Sequence, residues 1–329
     1  MTVRSLILPT LLLSFSTVGS VFATEQTVPD ESPGITQQGG DTYAFKIGDV
    51  RVIALSDGTV PQDLHKILQG TTNEKIDEQL TYAYQSNPIE TSLGAFLFEM
   101  GDSLVLVDAG AGNMFGPGFG GKLLDSLHAA RYDAKDVTDI LITHAHSDHI
   151  GGLTRDGQIV FANARVHVGK PDIDFFLDRG NAEKTGYEKL FFDQAIQILA
   201  PYVEAGKINR IDETTEILPG VTASLHPGHT PGSAFYTLKS QGQTLTFVGD
   251  IVHAEAVQFP SPSVTIVYDV DSKMAANVRS KAFSNFANDR DVVAAPHMPF
   301  PGVGHIRKAQ KGYDWVPVNY GNREVKKSE

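Results

Sequence analysis

Between Thr143 and Gly152 the chain reads Thr-His-Ala-His-Ser-Asp-His-Ile-Gly-Gly, placing three imidazoles and one carboxylate within the six residues from His144 to His149. No other stretch limits the fold so strongly, because these side chains act together only if a loop turns them onto a common centre. Neutral imidazole nitrogens and carboxylate oxygens are the donors that Zn²⁺ and its first-row neighbours take, and a catalytic site keeps one position open for water. The β-branched apolar run from Val137 to Thr143 predicts a buried strand directly upstream. A loop at its end lets His144 and His146 face one way and Asp148 and His149 another, which suits two adjacent metals better than one.

The competing reading is a polar loop with coincidental histidines, and it must also account for the rest of the chain. Each later apolar run ends in another candidate ligand. Val221 to His226 leads into Pro-Gly-His229-Thr-Pro-Gly-Ser, Thr244 to Gly249 ends on Asp250, and Val292 to Pro296 ends on His297. Recurrence at strand ends favours a metal centre over coincidence.

The order HxHxDH, GHTPGS, GD and a late histidine resembles the metallo-β-lactamase superfamily from about Tyr43 to near the C-terminus. The resemblance implies an α+β fold, the four-layer αββα metallo-β-lactamase sandwich. It also implies that His144, His146 and His229 hold one metal, that Asp148, His149 and His297 hold the other, and that Asp250 bridges them. Leu55 to Val60, Glu90 to Ser92, Leu104 to Gly112, Phe115 to Gly120, Pro262 to Thr265, His297 to Arg307 and Gly312 to Tyr320 further resemble the branch containing methyl parathion hydrolase and its lactone- and ester-hydrolysing relatives. A scaffold with many chemistries leaves the substrate to be argued from the site.

Two divalent cations, zinc first with manganese or cobalt as alternatives, would share a water about 3.5–4 Å apart and bring its pKa toward neutrality. No serine or cysteine nucleophile is then required, in keeping with a chain that has no cysteine. Asp250, His253 and Tyr268 are the catalytic candidates. Asp250 would orient the nucleophile and pass on its proton, while His253 and Tyr268 would steady an oxyanion or protonate a leaving alkoxide. A nitrophenolate needs no such help, so lactones and aryl esters are favoured over phosphotriesters. Asp108, after Leu104 to Val107, is expected to accept a hydrogen bond from a ligand imidazole. By the resemblance, Phe115, Phe176 and Phe191 line an aromatic leaving-group pocket, although Phe176 stands where the hydrolase commonly has tryptophan. Ordinary core is the plainer reading for any one of them. His65 and His128 read as surface residues, His167 as a strand residue, and His226 and His305 as structural or close to the ligands.

Arg4, the apolar run Leu6 to Phe15 and Val21-Phe22-Ala23 read as a signal peptide spanning 1–23, too short to span a bilayer. A soluble periplasmic or secreted protein is expected, with no membrane partner after cleavage. Losing Arg4 takes the net charge from −12 to −13. A chain so acidic with no basic run is a poor partner for nucleic acid or anionic lipid, which weighs against nuclease and thioester hydrolase readings. The expected substrate is a small neutral or apolar molecule, and the resemblance implies a homodimer.

Residues 24–40 are polar, carry Pro and Gly, and read as a flexible tail before a hydrolase domain over 41–325. Hairpins are expected at Ala44 to Leu55 and Gly94 to Asp108, and helices at Asn73 to Gln85, Lys122 to Ala130 and Ser272 to Asn285. A helical stretch from Asp172 to Ala205, irregular at Arg179 to Asn181, resembles the insertion that roofs the site in this superfamily. Periodicity alone supports only a mixed α and β fold. The alternatives are an organophosphate hydrolase as main activity, a β-lactamase, disfavoured because those enzymes do not call for the carboxylate at Asp250, or a non-catalytic metal-binding protein. Seven ligands argue against the last, since structural zinc is closed by four.

Overall fold

The computed structural model describes residues 41–321. The expected signal segment and tail, 1–40, lie outside the described residues. Alternation within the strands decides the architecture. In Val50–Gln62, Val52 and Ala54 face one side and Ile53 and Leu55 the other, and all four are buried. Ser103–Val107 repeats the pattern, with Val105 and Val107 opposite Leu104 and Leu106. A sheet apolar on both faces must be covered on both.

Seven strands form the first sheet, in the order Thr42–Ile47, Val50–Gln62, Ile89–Met100, Ser103–Val107, Asp139–Leu141, Arg165–Gly169 and Ile208–Ile211. Seven more form the second, in the order Thr215–Leu218, Val221–Leu225, Ala234–Ser240, Gln243–Phe247, Val292–Ala294, Val303–Lys308 and Tyr313–Pro317. The sheets meet over one core, in which Phe96, Phe98 and Val105 of the first pack with Tyr236, Phe247 and Val303 of the second. Phe98 and Phe247 stack with centroids 5.8 Å apart; burying each such ring contributes about 2–3 kcal/mol. On the outer face of the first sheet, Ile53, Leu55, Leu104 and Leu106 pack under Leu123–Ala129 and Lys189–Glu204. The outer face of the second sheet presents Phe235, Val293 and Ile306 to Phe283 and Phe286 of Ser272–Asp289. The layers are therefore helix, sheet, sheet, helix, as expected.

Strand direction then gathers the candidate residues. Ser103–Val107, Asp139–Leu141 and Arg165–Gly169 run parallel, as do Gln243–Phe247 and Val292–Ala294. Two antiparallel steps give Val221–Leu225 the same direction as Gln243–Phe247. Asp108, His144, His229, Asp250 and His297 all follow the C-terminal ends of these strands.

Some boundaries differ from expectation. The strand read as Val137 to Thr143 is only Asp139–Leu141, because the Thr143 amide leaves the sheet to donate to Asp108 Oδ1 at 2.8 Å. The final helix continues past Asn285 to Asp289, since Phe286 still faces core, and stops where Arg290 turns left-handed at φ 58°. In the roof, the irregular point falls at 177–179. A second break, at 186–188, follows the left-handed Gly186.

Candidate metal centre

Two quartets of donors meet at this rim. His144, His146, His229 and Asp250 form one, and Asp148, His149, Asp250 and His297 the other, with the ligand atoms of each within 4.8 Å of one another. Asp250 belongs to both. In the first, His146 Nδ1 lies 3.1 Å from His144 Nε2 and 3.0 Å from His229 Nε2. In the second, His149 Nε2 lies 3.1 Å from Asp250 Oδ1 and His297 Nε2 3.1 Å from Asp250 Oδ2.

Whether these residues fit metal ions can be judged from their protons. His149 Nδ1 faces the carboxylate of Asp108 at 2.8 Å, His229 Nδ1 faces that of Asp269 at 2.8 Å, and His297 Nδ1 faces the Ser92 carbonyl at 2.9 Å. These partners only accept, so each Nδ1 carries the proton, and in the neutral ring each Nε2 presents a bare lone pair. Thr143 Oγ1 commits its own proton to Asp108 and so accepts from His144 Nδ1 at 3.1 Å. Bare nitrogens about 3 Å apart repel unless a cation lies among them. Buried His149 Nε2 and Asp250 Oδ1 have no hydrogen-bond partner among the described residues, and a buried polar atom left so costs about 1–3 kcal/mol. The donor set fits two divalent cations.

Electrostatics divide the rings: burial opposes protonation of His229 and His297, yet Asp250, with Asp269 for His229 and Asp148 for His297, brings His229 up to about 9 and raises His297. Burial, reinforced by His149 for His144 and by His229 for His146, holds both rings far below the ordinary 6.5 and therefore neutral. Burial opposes protonation of His149 too, but the carboxylates of Asp250, Asp148 and Asp108 outweigh it and raise its pKa. Burial likewise opposes ionisation of Asp250, yet His149 and then His297 and His144 hold it well below the usual carboxylate range.

The remaining candidates lie at varied distances. Asp108 sits at φ 59° and binds His149 as well as Thr143. His253 places Nε2 3.0 Å from Asp250 Oδ2. The Tyr268 ring centroid is 6.3 Å from that of His253, and its hydroxyl donates to Gln62 Oε1. Phe191 packs 5.0 Å from the His146 ring and 6.3 Å from Tyr268. Phe176 departs from its expected place on the pocket wall: it is 0% exposed and packs edge-on against His146 at 5.7 Å, as core supporting a ligand. Phe115, half-buried in the 112–121 turn, has no aromatic partner among the described residues. Among the other histidines, His167 is a buried strand residue held by Asp139 and Asn209, and His305 caps the Asp291 carbonyl.

Several residues of the site escape sequence reasoning. Asp269 orients His229, and its only signal was adjacency to Tyr268. Tyr187, in the roof, places its hydroxyl 2.9 Å from His146 Nε2 and 2.7 Å from the Tyr268 carbonyl. Asp172 accepts from Ala145 N, Gly232 N and Thr230 Oγ1, tying the two ligand loops together. Asp57 accepts from the amides of Ala111, Gly121 and Leu123 and so fixes the glycine-rich loop. Burial pushes both carboxyls up to about 6 against these amides.

Comparison with known proteins agrees with this geometry. The sequence profile described as Metallo-beta-lactamase superfamily matches residues 95–297. A solved structure described as hydrolase AbOPH in the beta lactamase superfamily is 36% identical, with a TM-score of 0.82 over 87% of this chain and 100% of that one. AidC, described as a dizinc quorum-quenching lactonase in complex with a product, is 26% identical, with a TM-score of 0.78 over 86% of this chain and 99% of that one. Ribonuclease TTHA0252 of Thermus thermophilus is 29% identical over 188 residues, which is 55% of this chain and 40% of that protein, so the chain spans less than half of that relative's length. With the donor quartets sharing Asp250 and the profile spanning both of them, the chain belongs to the metallo-beta-lactamase superfamily.

Proposed function

We propose that this chain is an exported dinuclear hydrolase that opens lactones and cleaves aryl esters, with phosphotriester cleavage as a side activity. His144, His146, His229 and Asp250 would hold one divalent cation, and Asp148, His149, His297 and the same Asp250 would hold a second. Zinc is the first choice. When bound, such a pair lowers the pKa of a shared water and polarises the oxygen of a carbonyl or phosphoryl group.

The chain's own residues supply the rest. His253 Nε2 donates to Asp250 Oδ2 and keeps that carboxylate in place; burial pushes its pKa down to about 4, so at neutral pH it is a hydrogen-bond donor and not a source of a transferable proton. Burial pushes the Tyr268 phenol up to about 12, so it stays protonated at neutral pH, and it can reach an oxyanion by turning to it the proton that it gives Gln62. Phe191 and Tyr187 shield the site and favour an apolar acyl or aryl group. The observation that carries the reading is this meeting of hydrogen-bond donors and an aromatic roof at one cluster. No Lys or Arg among the described residues pairs with Asp108, Asp148, Asp250 or Asp269, so no side-chain cation neutralises the proposed ligands and their carboxylate partners by direct contact. Similarity to a dizinc lactonase supports the lactone half. Export with cleavage after Ala23, a homodimer and the lack of a nucleic-acid partner belong to the same proposal. They rest on the leader-like 1–23, the resemblance and the acidic composition.

The test is kcat/KM across acyl-homoserine lactones, dihydrocoumarin, phenyl acetate, methyl paraoxon, nitrocefin and single-stranded RNA. We expect the best lactone or aryl ester to exceed methyl paraoxon by more than about a hundredfold, roughly 2.7 kcal/mol of differential transition-state binding. Turnover led by methyl paraoxon would instead establish an organophosphate hydrolase. Turnover led by nitrocefin or RNA would overturn the proposal. His146→Ala should lose at least about a hundredfold on every substrate; full activity in that variant would remove His146 from the ligand set.

A further inference from the structure

We infer that Tyr187, a roof residue, is a positioning residue for the three-histidine cation site, setting the tautomer of His146 and anchoring the segment that orients His229. The inference rests on the ligand assignment proposed above. Tyr187 lies in the 186–188 break between Gly180–Thr185 and Lys189–Glu204, just after left-handed Gly186. Its ring is parallel to that of His146, 11° apart in plane at 6.2 Å, and is packed by Phe175, Phe176 and Phe191.

Proton counting gives the argument. A phenol has one proton, and the Tyr268 carbonyl 2.7 Å away can only accept it. The lone pair of Tyr187 Oη then faces His146 Nε2 at 2.9 Å and requires a proton there. His146 is thereby held as the Nε2–H tautomer, with its Nδ1 lone pair turned toward His144 Nε2 and His229 Nε2. The other four imidazole ligands have their tautomers set by Asp108, Asp269, the Ser92 carbonyl and Thr143. For His146 the described residues offer Tyr187. The same hydroxyl reaches further, because Tyr268 precedes Asp269, whose carboxylate takes the proton of His229 Nδ1. Two of the three histidines in one quartet thus depend on one phenol, and none of the second quartet does.

The experiment measures the two stepwise Co²⁺ affinities of the full-length chain by competition with a chromogenic chelator, in the parent, Tyr187→Phe and Phe175→Leu. Phe175 packs on Tyr187 but makes no hydrogen bond to a ligand, so Phe175→Leu loosens the roof while keeping the phenol. In Tyr187→Phe one affinity should fall about tenfold to a hundredfold and the other stay within about threefold, with Phe175→Leu changing neither. Equal loss at both sites, no loss, or the same loss in Phe175→Leu would overturn the inference. If Tyr187→Phe does not fold, imidazole ¹⁵N spectra of the metal-stripped parent decide it: Nε2–H on His146 supports the inference and Nδ1–H overturns it. A parent that binds no metal would fail differently, by removing the ligand assignment itself.

Discussion

At the scale of single residues, His226 shows how nearby histidines divide between roles. It follows the same strand end as His229, yet its ring stacks on Phe235 at 3.8 Å and 16° and shares a hydrogen bond with Ser224 Oγ. Burial, with a smaller contribution from Lys281, lowers its pKa from 6.5 to about 4. With the folded value depressed, the folded chain binds fewer protons than the unfolded chain between these values, and acidification favours unfolding. The stabilising contribution is complete above about pH 6.5 and is lost as pH falls through about 4. His226→Phe keeps the stack and removes the titration. We expect urea midpoints at pH 7.5 and pH 5 to differ less in the variant than in the parent; an equal or larger difference would contradict this account.

At the scale of elements, ligand placement depends on close backbone approach. A Cβ at Gly152 would meet the Ala109 carbonyl oxygen at 2.0 Å, and one at Gly151 the Ala111 carbonyl oxygen at 2.1 Å. The glycines that close the motif therefore let the short helix Ser147–Ile150, with His149 and Asp148, lie against the loop that begins at Asp108. Gly152→Ala should cost about 1–3 kcal/mol in chemical denaturation, and weaken metal affinity as His149 moves. Unchanged stability would mean the loops yield freely. The sequence made this helix and its ligands legible because metal chemistry confines donors to short spacings, and the strands legible because both faces are apolar. It was silent on Asp57, Asp172, Asp269 and Tyr187. Each works through backbone groups or ligands 27 to 66 positions away, and no local pattern records such a partner. For Phe176 the resemblance implied a pocket wall and the residue type implied core; the structure buries it against His146, in keeping with the plainer reading.

At the scale of the whole molecule, two sheets from the two halves of the chain contribute unequally to one centre. The first supplies His144, His146, Asp148 and His149, and the second supplies His229, Asp250 and His297. Cations at their junction would bind only the folded arrangement and so stabilise it, by about 4 kcal/mol for a site held at a thousand times its Kd. Asp250 is the residue both quartets need, and the account stands on that sharing. The most direct test strips the full-length chain of metal and titrates Co²⁺ back, following bound metal and hydrolysis of an aryl ester together. The account predicts that activity is absent without metal, reaches its plateau at two equivalents, and is not restored in Asp250→Ala at any loading. Full activity in the stripped chain, or in Asp250→Ala, would contradict it.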